Sequence, residues 1–325
     1  MSKYNDPLLD SIAERLKDGD AGIRRVAVME LVDSPEAEAV ELLIAALSDE
    51  DESVRLEAAR VIDEFDPREM MGALVGALTA DDENVRNAAA SALADLKDSS
   101  AAPALIEALK EDDPFVLAAI LRALKQLRIP QTRPHAISFL SHEDAGVRRE
   151  AVGVLGYLQD VDNLPQLISV AGKDADAEVR RTAVGALVYA PPAMVAASLA
   201  AAVTDENWMV RMEGIKGLGR LQITQAVDTL IKATDDERWQ VREKAAEAIG
   251  KLGAVDGISA LGACIQDPIS NLRKTAIAAL GEIAHSDGLP FVEQAMNDND
   301  PDVRKLARWS RDRIAAAESA SGTGH

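Results

Sequence analysis

A chain of 325 residues with 55 Asp and Glu against 35 Lys and Arg carries a formal charge of −20, which repels phosphate and excludes nucleic acid as a partner. Hydrophobic residues reach 47% but aromatics only 3%, so the interior is filled by Ala, Leu, Val and Ile, a composition that favours close-packed helices over sheet. The lone Cys264 excludes an internal disulfide and a cysteine-built metal cluster, and is expected to pack as a small apolar residue.

Met1 to Pro7 contains no basic segment followed by an apolar run, and no stretch approaches the roughly 18 apolar residues of a membrane span. The expectation is a cytoplasmic protein. Asp6 and Pro7 predict an N-cap followed by proline in the first helical turn. From there an arginine recurs at Arg24, Arg55, Arg86, Arg148, Arg180, Arg211, Arg242, Arg273 and Arg304, in steps of 31 residues except one of 32, with Leu117 in the arginine's place. Such a period marks a solenoid, in which each unit buries its apolar face only against its neighbours. The prediction is an all-α fold: a right-handed α-solenoid of about ten helix pairs, forming a single domain over residues 1–317.

Taking each arginine as an anchor, the residues four and seven places later are apolar in nine units, for example Val28 and Leu31 or Ile277 and Leu280. Those offsets share one helical face and predict a helix B of about 12 residues in each unit. An amphipathic segment before each anchor, such as Ala39 to Leu47 or Ala226 to Ala233, predicts a helix A joined to helix B by an acidic turn. Six residues before the anchor stands Asp18, Asp49, Asp174, Asp205, Asp236, Asp267 or Asp298, suited to cap helix B or to pair with a ladder arginine. Gly156, Gly219, Gly250 and Gly281, eight residues after the anchor, suit close helix packing or a helix end. The arginine row reads either as an anion-binding surface or as structural ion pairs between units. Its ninefold repetition favours the structural reading, because a packing solution must recur in every unit.

Segments such as Asp49-Glu50-Asp51-Glu52-Ser53-Val54-Arg55-Leu56-Glu57-Ala58-Ala59 and Val241-Arg242-Glu243-Lys244-Ala245-Ala246 resemble HEAT repeats. More narrowly, they resemble the short HEAT-like repeats named after phycobilisome lyases. The resemblance runs from about Asp6 to Ile314 and implies that helix B lines a concave face. It also implies a choice of roles, because these repeats occur in bilin lyase subunits, assembly chaperones and scaffolds.

Departures from the pattern carry the functional information. In the fourth unit the turn Arg128-Ile129-Pro130-Gln131-Thr132-Arg133-Pro134-His135 is stiffened by two prolines, and Arg128, Arg133 and His135 make a basic island read as a change of curvature or a local anion site. Tyr157 and Tyr189 share a register at the end of helix B, and Pro191 with Pro192 suggests a bend in the sixth unit. Trp208 and Trp239 share a register three residues before their anchors, with Met209 and Met212 beside them, and predict an exposed aromatic ridge for a partner, or rings folded back over the helix ends. In the tenth unit Arg308 and Arg311 replace apolar residues, as a terminal cap requires, and residues 318–325 are expected to be a disordered tail.

The sequence holds no glycine-rich phosphate loop, HExxH or GxSxG motif. Its carboxylate pairs, such as Asp235-Asp236, recur as solvated turns rather than as acid and base, and a metal site at His135 and His142 is disfavoured. The paired His-Glu motifs of HEAT-like metal hydroxylases and the basic face of repeat DNA glycosylases are absent. The expected function is therefore a non-catalytic scaffold or assembly factor without cofactor or metal. It would bind a protein partner, basic by charge complementarity, through Trp208, Met209, Met212, Trp239, Tyr157 and Tyr189. The alternative implied by the resemblance is a bilin lyase-like subunit, in which Arg128, Arg133 and Lys216 would meet the propionates of a tetrapyrrole and an aromatic ring would stack on it.

Overall fold

In the computed structural model the described residues are 6–34, 37–62, 64–65, 67–95, 97 and 99–322, the side chains at 37–38, 67–69, 321 and 322 excepted. They form twenty α-helices and no strand. Where the sequence suggests one domain, the chain divides into two compact units, Met1–Leu158 and Gln159–His325. Because each repeat packs only on its neighbours, nothing obliges a repeat array to close around one common core.

The first unit contains α1 (Pro7–Arg15), α2 (Ala21–Glu30), α3 (Ala37–Ala46), α4 (Glu52–Ile62), α5 (Pro67–Ala77), α6 (Glu83–Ala94), α7 (Ala102–Ala108), α8 (Pro114–Leu127), α9 (Arg133–Phe139) and α10 (Ala145–Leu158). The second contains α11 (Leu164–Lys173), α12 (Ala177–Leu187), α13 (Pro192–Ala202), α14 (Trp208–Arg220), α15 (Val227–Ala233), α16 (Trp239–Lys251), α17 (Ile258–Cys264), α18 (Ser270–Ile283), α19 (Leu289–Ala295) and α20 (Pro301–Gly322). Odd-numbered helices are helix A and even-numbered ones helix B.

Every helix B begins three residues before its anchor. The residue before that start is the cap: Asp20, Asp82, Asp113, Asp176 and Asn207 accept backbone N–H groups of the first turn through their side chains. The aspartate six before the anchor is therefore not the cap but the ion-pair partner. Arg24 donates to Asp49 from Nε and NH2 at 2.8 Å each, and Arg180 donates to Asp205 at 2.8 and 2.9 Å. Arg273 reaches Asp298 in the same way, while Arg211 and Arg242 hydrogen-bond Asp236 and Asp267 from NH2 alone, at 2.8 and 2.7 Å. In every unit with an anchor arginine, NH1 also donates to the carbonyl six residues back, as from Arg24 to Asp18 and from Arg304 to Asp298. Each guanidinium thus closes the turn of its own hairpin, and where the next unit supplies the carboxylate it locks the two hairpins together. The structural reading of the ladder holds.

In five units the chain leaves helix B at a shared register, eleven residues after the anchor, where Arg128, Gln159, Gln222, Gly253 and Ala284 adopt positive φ between 52° and 59°. Only Gly253 takes that left-handed backbone without strain. The glycines at the eighth position serve packing instead: a Cβ on Gly250 would lie 2.7 Å from the Cβ of Ala279, and one on Gly219 would lie 3.3 Å from that of Ala248. Leu117, in the arginine's slot, is 2% exposed and packs as core. Cys264 is buried, and burial pushes its thiol up to about 11, so it behaves as the inert apolar residue expected.

At the start, Asp6 Oδ1 accepts from Leu8 N at 2.8 Å and Pro7 opens α1, as the sequence suggests. The reading of Met1 to Pro7 otherwise lies largely outside the described residues. The residue before the anchor is fully buried at Val54, Val147, Val210 and Val241 but 41% exposed at Ile23. Pro191 and Pro192 do not interrupt a loop: they are the N-cap and first residue of α13, where fixed φ assists a helix. At the other end α20 runs on to Gly322, so residues 318–322 are helical rather than tail, continuing the alanine-rich run Ala315 to Ala317; residues 323–325 lie outside the described residues. Arg308 and Arg311 are exposed, as a polar cap requires.

Candidate partner-binding surface

In the second unit, α12, α14 and α16 pack in order and leave a groove of about 510 Å³ near the C-terminal ends of α14 and α16. Its lining includes Val188, Gly217, Gly219 and Ala248, where the glycines let neighbouring side chains approach closely. Its walls carry Lys216, Arg220, Lys244 and Lys251 against Glu213 and Glu247. Those charges are organised as intrahelical pairs: Lys216 with Glu213 at 3.2 Å, and both Lys244 and Lys251 with Glu247 at 2.6 Å. Burial raises the Glu247 carboxyl, but hydrogen bonds from the two lysines outweigh that and hold it below the usual range. Just after α12 stands Tyr189, 56% exposed, with the Arg220 guanidinium 4.8 Å from its ring centre. A tyrosine ring held by a cation and open to solvent, beside a groove with an excess of positive charge, suits an amphipathic side chain or a carboxylate of a partner.

The first unit repeats this chemistry in another setting. Tyr157, at the end of α10, is 42% exposed with Lys125 and Arg128 at 5.8 and 5.5 Å from its ring centre. Lys125 also binds the buried Glu150 at 2.9 Å, and Arg122 joins the same carboxylate at 3.1 Å. Arg128 of the basic island is therefore positioned by its left-handed backbone to cover Tyr157. Arg133 and His135, half-buried at the start of α9, belong to the short turn that buries Thr132. The turn's prolines start its short helices.

The two tryptophans fall between the exposed ridge and the folded-back rings that the sequence allows. Trp208 and Trp239 are the first residues of α14 and α16, in a common register, but both are half-buried, as are Met209 and Met212. Among the described residues the exposed large aromatics are Phe115, Tyr157, Tyr189 and Trp309. Trp309 carries Arg313 at 5.1 Å from its ring centre. Among the described residues no group of three or more His, Cys, Asp or Glu is placed to hold a metal ion, and no helix is long and apolar enough to cross a membrane.

Helix hairpins stacked through a repeated arginine define an α-solenoid repeat protein. The chain belongs to the HEAT repeats, whose family matches residues 9–67, 40–125, 112–188, 164–250, 195–271 and 258–321. Its fold is similar to that of the karyopherin Kap95 in complex with Nup1, at 15% identity and a TM-score of 0.57 over 97% of this chain and 52% of that one. It is similar as well to Kap95p with RanGDP, at 14% identity and a TM-score of 0.56 over 95% and 53%. Kap121p bound to the extreme C-terminus of the phosphatase Cdc14p matches at 16% identity and 0.54 over 95% and 41%. The chain thus spans about half the length of these karyopherins or less, and the likeness is one of fold. No curated protein matches the chain significantly.

Proposed function

We propose that this protein is a non-catalytic interaction scaffold, and that the second unit grips its partner along the groove beside Tyr189. The observation that carries this reading is the exposed Tyr189–Arg220 pair at the mouth of a groove whose cations outnumber its carboxylates. Solenoids of the same fold hold protein partners, Nup1, RanGDP and a Cdc14p segment among them. The charge of −20 adds a long-range attraction for a basic partner, while the groove receives a local acidic or aromatic anchor from it. A cytoplasmic setting and membership of the short phycobilisome-lyase-type class belong to the same reading, the latter supported by the 31-residue period. The tetrapyrrole reading has less support: Arg128 lies over Tyr157 and Lys216 is engaged by Glu213.

The test compares affinity capture from the source organism's lysate by the wild type and by the Tyr189→Ala/Arg220→Ala double variant, read by mass spectrometry. A protein retained by the wild type and lost by the variant, with helicity unchanged, supports the scaffold reading. Equal capture by both removes the groove from the interface.

A further inference from the structure

Five anchors, Arg24, Arg180, Arg211, Arg242 and Arg273, pair with the next unit's aspartate, and Arg55, which does not, borders a cavity. Arg55 closes its own hairpin as every other anchor does, with NH1 donating to the carbonyls of Asp49 and Glu50 at 2.7 and 2.9 Å. The register that supplies Arg24 with Asp49 and Arg180 with Asp205 offers Arg55 only Ala80, and among the described residues Arg55 forms no ion pair. At the same place the stacking of helix B loosens. In the first unit α2 packs on α4, α6 on α8 and α8 on α10, whereas α4 and α6 barely touch. Between them lies a cavity of about 1090 Å³ that Arg55 borders. Its apolar lining includes Ala59, Ile62, Ala88 and Ala92, with Phe65, Met70 and Met71 contributing only edges, being 8, 2 and 1% exposed. Its outer wall presents the amides of Asn84 and Asn87, one helical turn apart on α6.

We infer that this cavity is a binding site for an amphipathic monocarboxylate, the class of a medium-chain fatty acid, whose carboxylate takes the place on Arg55 that the next unit's aspartate takes on Arg24, Arg180, Arg211, Arg242 and Arg273. A guanidinium edge matches a carboxylate through two parallel hydrogen bonds, and Arg24 and Arg180 make that pair within this protein. The other charges at the rim do not compete for it. Asp49 is held by Arg24, which keeps its carboxyl below the usual range, and Asp95 and Lys97 oppose each other in sign. The apolar wall receives the hydrocarbon chain, and the volume is at the upper end of that of small-molecule sites. This site lies in the first unit and does not depend on the Tyr189 groove of the second.

The experiment is calorimetric titration of the full chain with dodecanoate, with dodecanol as the uncharged control and circular dichroism to check each variant's fold. Saturable one-to-one binding of dodecanoate, weakened about ten-fold or more by Arg55→Gln and absent for dodecanol, is the expected result. Ala80→Asp restores the missing rung. It should weaken dodecanoate binding while raising the melting temperature, and it keeps the question decidable if Arg55→Gln fails to fold. No binding to the wild type, equal binding of dodecanol, or undiminished binding by a folded Arg55→Gln or Ala80→Asp variant overturns the assignment.

Discussion

Arg180 and Asp205 stand 25 residues apart in the chain and meet through two hydrogen bonds, Nε to Oδ2 at 2.8 Å and NH2 to Oδ1 at 2.9 Å, with the arginine 5% exposed. The pair closes the joint between α12 and α14. Removing one partner leaves a largely buried charge without its counterion, so Arg180→Met is expected to destabilise the second unit by about 3 kcal/mol. Replacing both, with Arg180→Met and Asp205→Leu, should recover most of that loss. Denaturant unfolding of the three proteins checks the order, and equal stabilities would show that the rung contributes nothing.

The same carboxylates set the response to acid. Hydrogen bonds from Arg24 and Arg273 hold Asp49 and Asp298 below the ordinary carboxylate range, and at Asp205 burial raises the carboxyl but the Arg180 bonds outweigh it. A folded-state pKa depressed below the unfolded one contributes stability that is present above the unfolded value and vanishes as pH falls through the folded value. Melting temperature should therefore fall steeply below about pH 4, and an Arg273→Met/Asp298→Leu variant should show a shallower decline. An acid response unaltered by that double variant would count against the ladder as its source.

Ala284 ends α18 at φ 55° and ψ 40°, in the register where Gly253 ends α16. A Cβ strains that left-handed backbone, whereas glycine adopts it freely. Ala284→Gly should raise stability by about 1 kcal/mol, read as an upward shift in the denaturant midpoint with no change in slope.

Gly250 meets α18 so closely that an added Cβ would fall 2.7 Å from the Cβ and 2.8 Å from the Cα of Ala279. One of those neighbours is backbone and cannot swing aside. Gly250→Ala should cost about 2 kcal/mol despite alanine's better helix propensity. A neutral or stabilising result would mean that the α16–α18 joint has room to adjust.

Half-burial of Trp208 and Trp239 at the first turns of α14 and α16 gives them a packing role. The Trp208→Ala/Trp239→Ala variant is expected to melt several degrees below the wild type, by about 2 kcal/mol or more of lost burial. Tyr189→Ala, which removes an exposed ring, should melt within about a degree of it. Reversal of that order would restore the tryptophans as the exposed ridge.

Much of the architecture is legible residue by residue. The anchor spacing locates the start of each helix B to the residue, because start and cap keep constant offsets from the arginine, whereas the ends vary from unit to unit. The aspartate six before the anchor suggested two roles, and its choice between them depends on the distance to another unit's guanidinium, which no local pattern encodes. Likewise Trp208 and Tyr189 both look like unpaired aromatics in the sequence. Their different exposures arise from the side chains that neighbouring helices place over them. Ala80, like Glu111 and His142, stands where other units carry the aspartate, and only the loosened α4–α6 joint sets it apart from them.

By itself, the sequence determined the period, the alternation of helix A and helix B, the all-α class and the identity of the ladder residues, because each follows from spacing along a helix and from residues that recur in every unit. Only the tertiary structure decided the rest: two compact units rather than one, Tyr189 rather than the tryptophans at the open groove, and a cavity where Arg55 lacks its carboxylate. Those outcomes depend on how closely each hairpin approaches the next, a quantity set by the side chains on both sides of a joint and not by the periodicity that the joints share.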